Sequence, residues 1–292
     1  MNARPLPEIA IDPLLKRDIE AVASAFASTE EAEAVALADD IARPLRGDQR
    51  WAAFQAGVFE KMSECGYVVV RGLEADEGRS LLIVSAALEA RFDTYRPGRI
   101  VKRFRMSPWT DELSHTTRAG DFHTDGNVSV TPPVATAMQC EHEDPGAPEY
   151  AEQRVAFFPD VLGRLLSGGS DEAAAVAFLT GSDTVMAHER SAEVWRGRLV
   201  ESGTIRYHPH SLRVAEARLG VAVANLEAIL AAVHRAAMAV SVPFQTAAGD
   251  TVLVSNRTAL HYRGACSVRF TRFPSEFEAR SLFVLHLKER TA

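Results

Sequence analysis

The chain is 292 residues long, 47% hydrophobic and 24% charged, an ordinary globular make-up with length enough for a full core. Its 32 Lys+Arg against 39 Asp+Glu leave a net charge of −7, which excludes a global basic footprint for nucleic acid. No apolar run is long enough to cross a bilayer, the first ten residues lack an export signal's apolar segment, and three widely spaced cysteines build no CxxC or disulfide framework, so a cytoplasmic protein is expected.

In chain order, residues 13–46 are rich in Ala, Glu and Leu and predict one or two helices. Trp51–Cys65 places Trp51, Phe54, Val58, Phe59 and Met62 at three- and four-residue spacing, an amphipathic helix that Gly66 ends. The β-branched run Tyr67–Gly72 predicts a buried strand, 78–92 a helix, and 99–106 a strand in which apolar and basic residues alternate. Val134–Cys140 reads as a core strand and Asp144–Pro148 as a turn. Residues 159–237 read as an insertion, with helices near 159, over Asp171–Phe178 and over Leu219–Met238, and short strands at Thr184–His188 and Gly203–His208. A turn and strand over Gly249–Ser255 and a last strand, Ser281–Lys288, complete the chain, which carries no repeats and no linker. Strands on both sides of a helical insertion predict one domain over 1–292, a mainly β double-stranded β-helix (jelly roll, cupin-like) with flanking helices.

The chemistry concentrates in residues 120–133, where His123 and Asp125 stand two apart. In an extended strand, positions i and i+2 share a face, so imidazole and carboxylate converge. With a second histidine from downstream, for which His261 is the candidate, they make two nitrogens and one oxygen on one side of a metal. That set suits non-haem Fe(II), its opposite positions left open for oxygen chemistry.

Four segments in order resemble the taurine-dioxygenase and clavaminate-synthase-like Fe(II)/2-oxoglutarate dioxygenases. They are Gly66-Tyr-Val-Val-Val-Arg-Gly72; Phe122-His-Thr-Asp125 followed by Thr131-Pro-Pro133; Gly249-Asp250 with Asn256-Arg257 and His261-Tyr-Arg263; and Arg280-Ser-Leu-Phe283. Together they span roughly residues 60–290. The resemblance implies that His123, Asp125 and His261 ligate Fe(II), that O2 and 2-oxoglutarate are consumed, and that Arg280 holds the far carboxylate of 2-oxoglutarate. A guanidinium fork suits that planar anion. Arg269 and Arg272 are the fallbacks for Arg280. The family's Gly-Gly-x-Thr turn, whose hydroxyl shares that carboxylate, is here Gly146-Ala-Pro-Glu-Tyr150, and Thr136 is the candidate substitute. The interval from His261 to Arg280 is long for the family, with Phe273–Phe277 as the extra loop. With Asp125 present the position a halide would need is filled, so hydroxylation or desaturation of a small molecule is expected, an amino acid or specialised metabolite.

The remaining histidines carry less. His208-Pro-His210 reads as a loop, His115 and His142 as surface residues, and His188, His234 and His286 have no partner visible in the sequence. The basic run Arg96–Arg105 and Arg206 read either as solvated faces or as an entrance for an anionic substrate. Two other functions remain open at this level: a Zn-dependent hydrolase on the same triad, with Glu141 or Glu143 as base, and a non-catalytic jelly-roll binding protein. Oligomeric state is open.

Overall fold

The computed structural model describes residues 4–181 and 183–290; residues 1–3 of the stretch read for an export signal lie outside it. The chain begins with β1 (Glu8–Ala10), α1 (Pro13–Ser24), α2 (Thr29–Leu37), α3 (Gln49–Cys65), β2 (Tyr67–Arg71) and α4 (Arg79–Ser85). β3 (Arg91–Phe92), β4 (Lys102–Arg105), β5 (Ala135–His142) and β6 (Gln153–Phe157) follow. Next come α5 (Phe158–Leu166), α6 (Ser170–Gly181), β7 (Asp183–Ala187), β8 (Val194–Arg198), β9 (Val200–Glu201), β10 (Thr204–Ile205), α7 (Pro209–Leu219) and α8 (Leu226–Val240). The chain returns through β11 (Thr251–Ser255), β12 (Ala259–Arg263), the hairpin of β13 (Val268–Arg272) and β14 (Glu276–Ala279), and β15 (Ser281–Lys288).

One wall is a seven-stranded sheet in the order β1-β2-β11-β5-β15-β3, with β4 also pairing with β15. All its pairings are antiparallel except β1 with β2. The facing wall is β12 paired with β6, widened by single bridges from His123 to His261 and from Gln153 to Phe244. Two facing antiparallel walls of this kind form the expected double-stranded β-helix.

The long strand β15 shows how the sequence builds it. Its odd residues Phe283, Leu285 and Leu287 are buried with Leu15, Ile19, Trp51, Val58 and Leu82 of the amino-terminal helices. Each such side chain contributes roughly 1.5–3 kcal/mol by leaving water. Its even residues Leu282, Val284 and His286, with Arg280 just before them, face the cavity between the walls. Helix α3 starts at Asp48, whose Oδ1 accepts the Arg50 N–H, and stops at Gly66, left-handed at φ 76°. Its buried face is Trp51, Phe54 and Val58, whereas Phe59 stays 44% exposed, a step round the helix from that stripe. Gly249 makes the turn into β11 at φ 87°, where a Cβ would sit 1.7 Å from the Leu73 carbonyl oxygen.

Local propensity misleads in four places. The helix expected over 78–92 is α4 plus a short 3-10 turn, ended by Glu89 at φ 52°. The strand expected over 99–106 shrinks to β4, because the N–H groups of Ile100 and Val101 are taken by the buried carboxylate of Glu33 at 2.8 and 2.7 Å. The single helix expected over Leu219–Met238 is the end of α7 and most of α8, broken by Gly220 (φ 66°) and Asn225 (φ 58°). The His208–His210 loop is the start of α7, with Pro209 in the first turn, where its missing N–H costs nothing. α5, α6 and α8 pack a second core behind the β6–β12 wall, around Phe158, Leu165, Leu179, Leu230, Val233 and Leu260.

Candidate metal centre

His123 and His261 exchange two backbone hydrogen bonds of 3.1 Å, which sets their side chains beside each other with ring centroids 4.2 Å apart. Two residues on, the chain leaves the wall at Asp125, and Gly126 (φ 61°) packs so tightly on Pro133 that a Cβ would meet its ring at 2.7 Å. Asn256, 4% exposed, pins this corner: its Oδ1 accepts the Asp125 N–H at 2.6 Å, and its Nδ2 donates to the carbonyls of Asp125 and Pro133. The His–x–Asp spacing thus converges as expected, but through a turn held by a distant asparagine rather than along a continuous strand.

The convergence is on one oxygen. His123 Nε2 lies 3.8 Å and His261 Nε2 3.7 Å from Asp125 Oδ1. Ligands bound at about 2.1 Å and spread by 90–110° stand roughly 3.0–3.5 Å apart, so each imidazole nitrogen is close to ligand spacing from the carboxylate oxygen. The three residues form the group of mutually close metal-ligating atoms found among the described residues. His123 Nδ1 is 2.7 Å from the Asp121 carbonyl oxygen and donates to it, which leaves Nε2 with the free lone pair. Burial, reinforced by the neighbouring His123, pushes His261 down to about 4, so its imidazole is neutral near pH 7. Burial alone would raise the Asp125 carboxyl; His261, His286 and His123 together outweigh it and hold the group well below the usual carboxylate range. Two imidazole nitrogens and one carboxylate oxygen are a fitting donor set for a divalent transition metal.

The site opens into a cavity of about 420 Å3. Arg280 lies in its wall, 2% exposed, and neither of its terminal nitrogens has a hydrogen-bond partner among the described residues. Burial pulls this guanidinium below its ordinary value. The fallbacks stand elsewhere: Arg269 pairs with Glu278 and Arg272 with Glu276 on the exposed β13–β14 hairpin; of the extra loop expected over Phe273–Phe277, only 273–275 form its tip, Glu276 and Phe277 being in β14. Thr136, the other residue expected at the 2-oxoglutarate carboxylate, lines the same cavity. Its hydroxyl donates to Asp125 Oδ2 at 2.6 Å, so it braces the carboxylate of the triad.

Neither acid considered for a hydrolase lines the cavity: Glu141 is paired with Arg103 at 2.6 Å, and Glu143 accepts the Ala248 N–H. The charged residues of the Arg96–Arg105 run do not line it either. Arg96 and Lys102 lie at Tyr95 and Arg105 over Phe277; of the whole run Phe104 is in the lining, with Lys102 beside it on the same strand face. Arg206 stacks on Trp195 and donates to the Ser129 carbonyl, also outside the lining. His115 bonds to the Arg105 carbonyl, and His142 is an exposed neighbour of Glu141.

Two histidines that sequence reasoning set aside are at the centre. His286 Nε2 stands 3.5 Å from Asp125 Oδ2. Its signal was available, because it shares a strand face with Arg280. His208 packs edge-on against His123 with centroids 5.1 Å apart, and its Nδ1 accepts the Ser211 N–H. Burial and the nearby His123 push it down to about 3. It reaches the site because Thr124, between the two motif residues, is stitched to Tyr207 by three hydrogen bonds of 2.8–3.3 Å. Nothing local in the sequence announces that contact.

No protein-family model matches the chain, and no curated protein matches its sequence. Solved structures match over nearly its whole length. An asparagine oxygenase in complex with Fe(II), (2S,3S)-3-hydroxyasparagine and succinate superposes with a TM-score of 0.71 at 15% identity, covering 97% of this chain and 94% of that one. The non-haem iron oxygenase OrfP with Fe and α-ketoglutaric acid gives 0.70 at 16% identity, over 98% and 95%. OrfP with Fe, succinate and (3R,4R)-dihydroxy-L-Arg gives 0.69 at 14%, over 97% and 95%. The protein therefore shares the fold of these two oxygenases, the jelly roll with helical insertion that the sequence predicts. At these identities the path of the chain is what is shared.

Proposed function

We propose that this protein is an Fe(II)- and 2-oxoglutarate-dependent oxygenase that hydroxylates, or desaturates, an unactivated C–H bond of a small molecule. An amino acid is the substrate class best supported, because the asparagine oxygenase and OrfP structures hold hydroxylated asparagine and arginine. The observation that carries the reading is one cavity walled by both a converging His123–Asp125–His261 set and a buried guanidinium whose two terminal nitrogens have no hydrogen-bond partner among the described residues. An unpaired buried cation costs several kcal/mol and demands an anion.

His123, Asp125 and His261 would hold the iron, and Arg280 the far carboxylate of 2-oxoglutarate. Bound there, the metal supplies the O2 chemistry that couples breakdown of 2-oxoglutarate to succinate and CO2 with oxidation of the substrate. The chain's own work is placement. The Asp121 carbonyl fixes the tautomer of His123, and Thr136 and Asn256 hold Asp125 from two sides. Met138, Val252, Leu282 and Val284 give the cavity an apolar wall that keeps water from the reacting atoms. The three cysteines are all free thiols, which supports a reducing, cytoplasmic setting.

The test needs no substrate. Fe(II) and then 2-oxoglutarate are added to anaerobic protein, and the weak visible charge-transfer band of a chelated 2-oxo acid is recorded. The band should appear in the wild type, vanish in His261→Ala and require far more 2-oxoglutarate in Arg280→Ala. Wild-type protein that binds the metal yet gives no band would refute the reading.

A further inference from the structure

The two oxygens of Asp125 are treated differently by the fold. Oδ1 faces His123 Nε2 and His261 Nε2. Oδ2 is turned away from both histidines toward the Thr136 hydroxyl at 2.6 Å and His286 Nε2 at 3.5 Å. Thr136 and His286 are direct cross-strand partners on β5 and β15, so their side chains rise from the sheet on the same face. Asp125 thus meets the Thr136 hydroxyl and, at the outer edge of hydrogen-bond range, the His286 ring, both delivered by the ladder that joins β5 to β15 in the large sheet. His286 is not a fourth member of the ligand set, because it approaches the opposite oxygen and falls outside the group of mutually close ligating atoms.

This arrangement answers a chemical need. A carboxylate can bind a metal through one oxygen or through both, and the second mode fills one more coordination position. A centre that must also accept a bidentate 2-oxo acid and O2 has none to spare. Donors that claim Oδ2 keep that oxygen off the metal and raise the cost of rotating the group. Thr136 alone supplies one hydrogen bond, and Oδ2 has lone pairs for two.

Resting on the metal-site reading above, we infer that His286 is a positioning residue that works with Thr136 to hold Asp125 to single-oxygen coordination through Oδ1. Its ring acts as an Nε2–H donor, and removing the donor frees the carboxylate to turn.

The experiment uses the full chain with metal alone, without 2-oxoglutarate or substrate. Mn(II) affinity is measured by the EPR signal of free Mn(II), and coordination by the visible absorption of the Co(II) form. His286→Leu should weaken Mn(II) binding about 10- to 100-fold, the usual effect of losing a ligand's supporting partner, and should change the Co(II) spectrum. His286→Gln, whose amide N–H reaches a similar point, should restore both to near the wild type. Equal Mn(II) affinity and an unchanged Co(II) spectrum in His286→Leu would overturn the proposal. So would His286→Gln being as defective as His286→Leu, since the ring would then act by volume or as a ligand. If His286→Leu does not fold, His286→Asn replaces it. Asparagine is too short to reach Oδ2, so loss in Asn with retention in Gln supports the role, and equal behaviour refutes it. A wild type that binds no Mn(II) overturns the metal centre and this role together. A missing 2-oxoglutarate band with Mn(II) binding intact refutes only the oxygenase.

Discussion

Replacing Arg280 by methionine should make the ligand-free protein more stable while making it blind to 2-oxoglutarate. The guanidinium is 2% exposed, and both terminal nitrogens lack partners among the described residues. Its neighbours include the Cys140 and Cys266 thiols and a second cation, Arg263, which adds repulsion. Exchanging buried charge for a well-packed apolar side chain typically stabilises by about 1–4 kcal/mol. Methionine is flexible enough to fill most of the space Arg280 leaves. At roughly 2–4 °C per kcal/mol for a chain near this size, the melting temperature should rise by several degrees. Saturating ligand works in the opposite direction on the comparison. With Mn(II) present and 2-oxoglutarate at a hundred times its Kd, the wild type should gain about 2.7 kcal/mol. The Arg280→Met protein should gain little beyond the effect of Mn(II) itself. Thermal unfolding of both proteins, with Mn(II) throughout and with or without 2-oxoglutarate, should place Arg280→Met above the wild type without 2-oxoglutarate and show a 2-oxoglutarate shift in the wild type alone. A variant that melts below the wild type without ligand, yet keeps the full shift with 2-oxoglutarate, would refute it. Arg280 would then be a structural cation, and the anion site would lie elsewhere.

Asn256→Ala removes three hydrogen bonds to the Asp125 corner and leaves buried backbone groups unpaired, a loss of about 3 kcal/mol. The urea midpoint should fall with the slope unchanged, and Mn(II) binding should weaken with it; a neutral substitution would mean that the turn at Gly126 holds Asp125 unaided. Cys140 gives a pH prediction. Burial, only partly offset by Arg280, raises its thiol to about 11 from an ordinary 9.0. The folded thiol therefore keeps its proton where an unfolded one has lost it. That contribution is fully present below about pH 9 and is lost as pH rises toward 11. Alkaline unfolding curves of Cys140→Ala should be flatter across this window than those of the wild type, and an identical slope would show that the thiol is not desolvated.

What the sequence determined by itself is what depends on local period and local chemistry. A two-residue alternation is a property of the strand alone, so β15 could be read with both its ends, whereas the expected convergence of His123 and Asp125 is reached by a turn pinned to Asn256. The glycines that end α3 and open β11 occupy left-handed positions where another residue would be strained, and they mark the element boundaries directly. The order of four short segments was enough to predict the jelly roll and to pick out His261 and Arg280, which line one cavity.

Tertiary structure alone decided the partners. Thr136 was visible as a hydroxyl on a core strand, but only the β5–β15 register sets it opposite His286 and beneath Asp125. His208 sits 85 positions from His123 in the chain and reaches it through the Thr124–Tyr207 stitch. Asn256 bonds Asp125 across 131 positions, and Ile100 is taken out of a strand by Glu33 across 67. Each of these is settled by how sheets, helices and loops pack against one another, a sum of many weak contacts over the whole chain. No window of neighbouring residues contains that sum, which is why the converging His123–Asp125–His261 set could be read in the sequence and the groups packed around it could not.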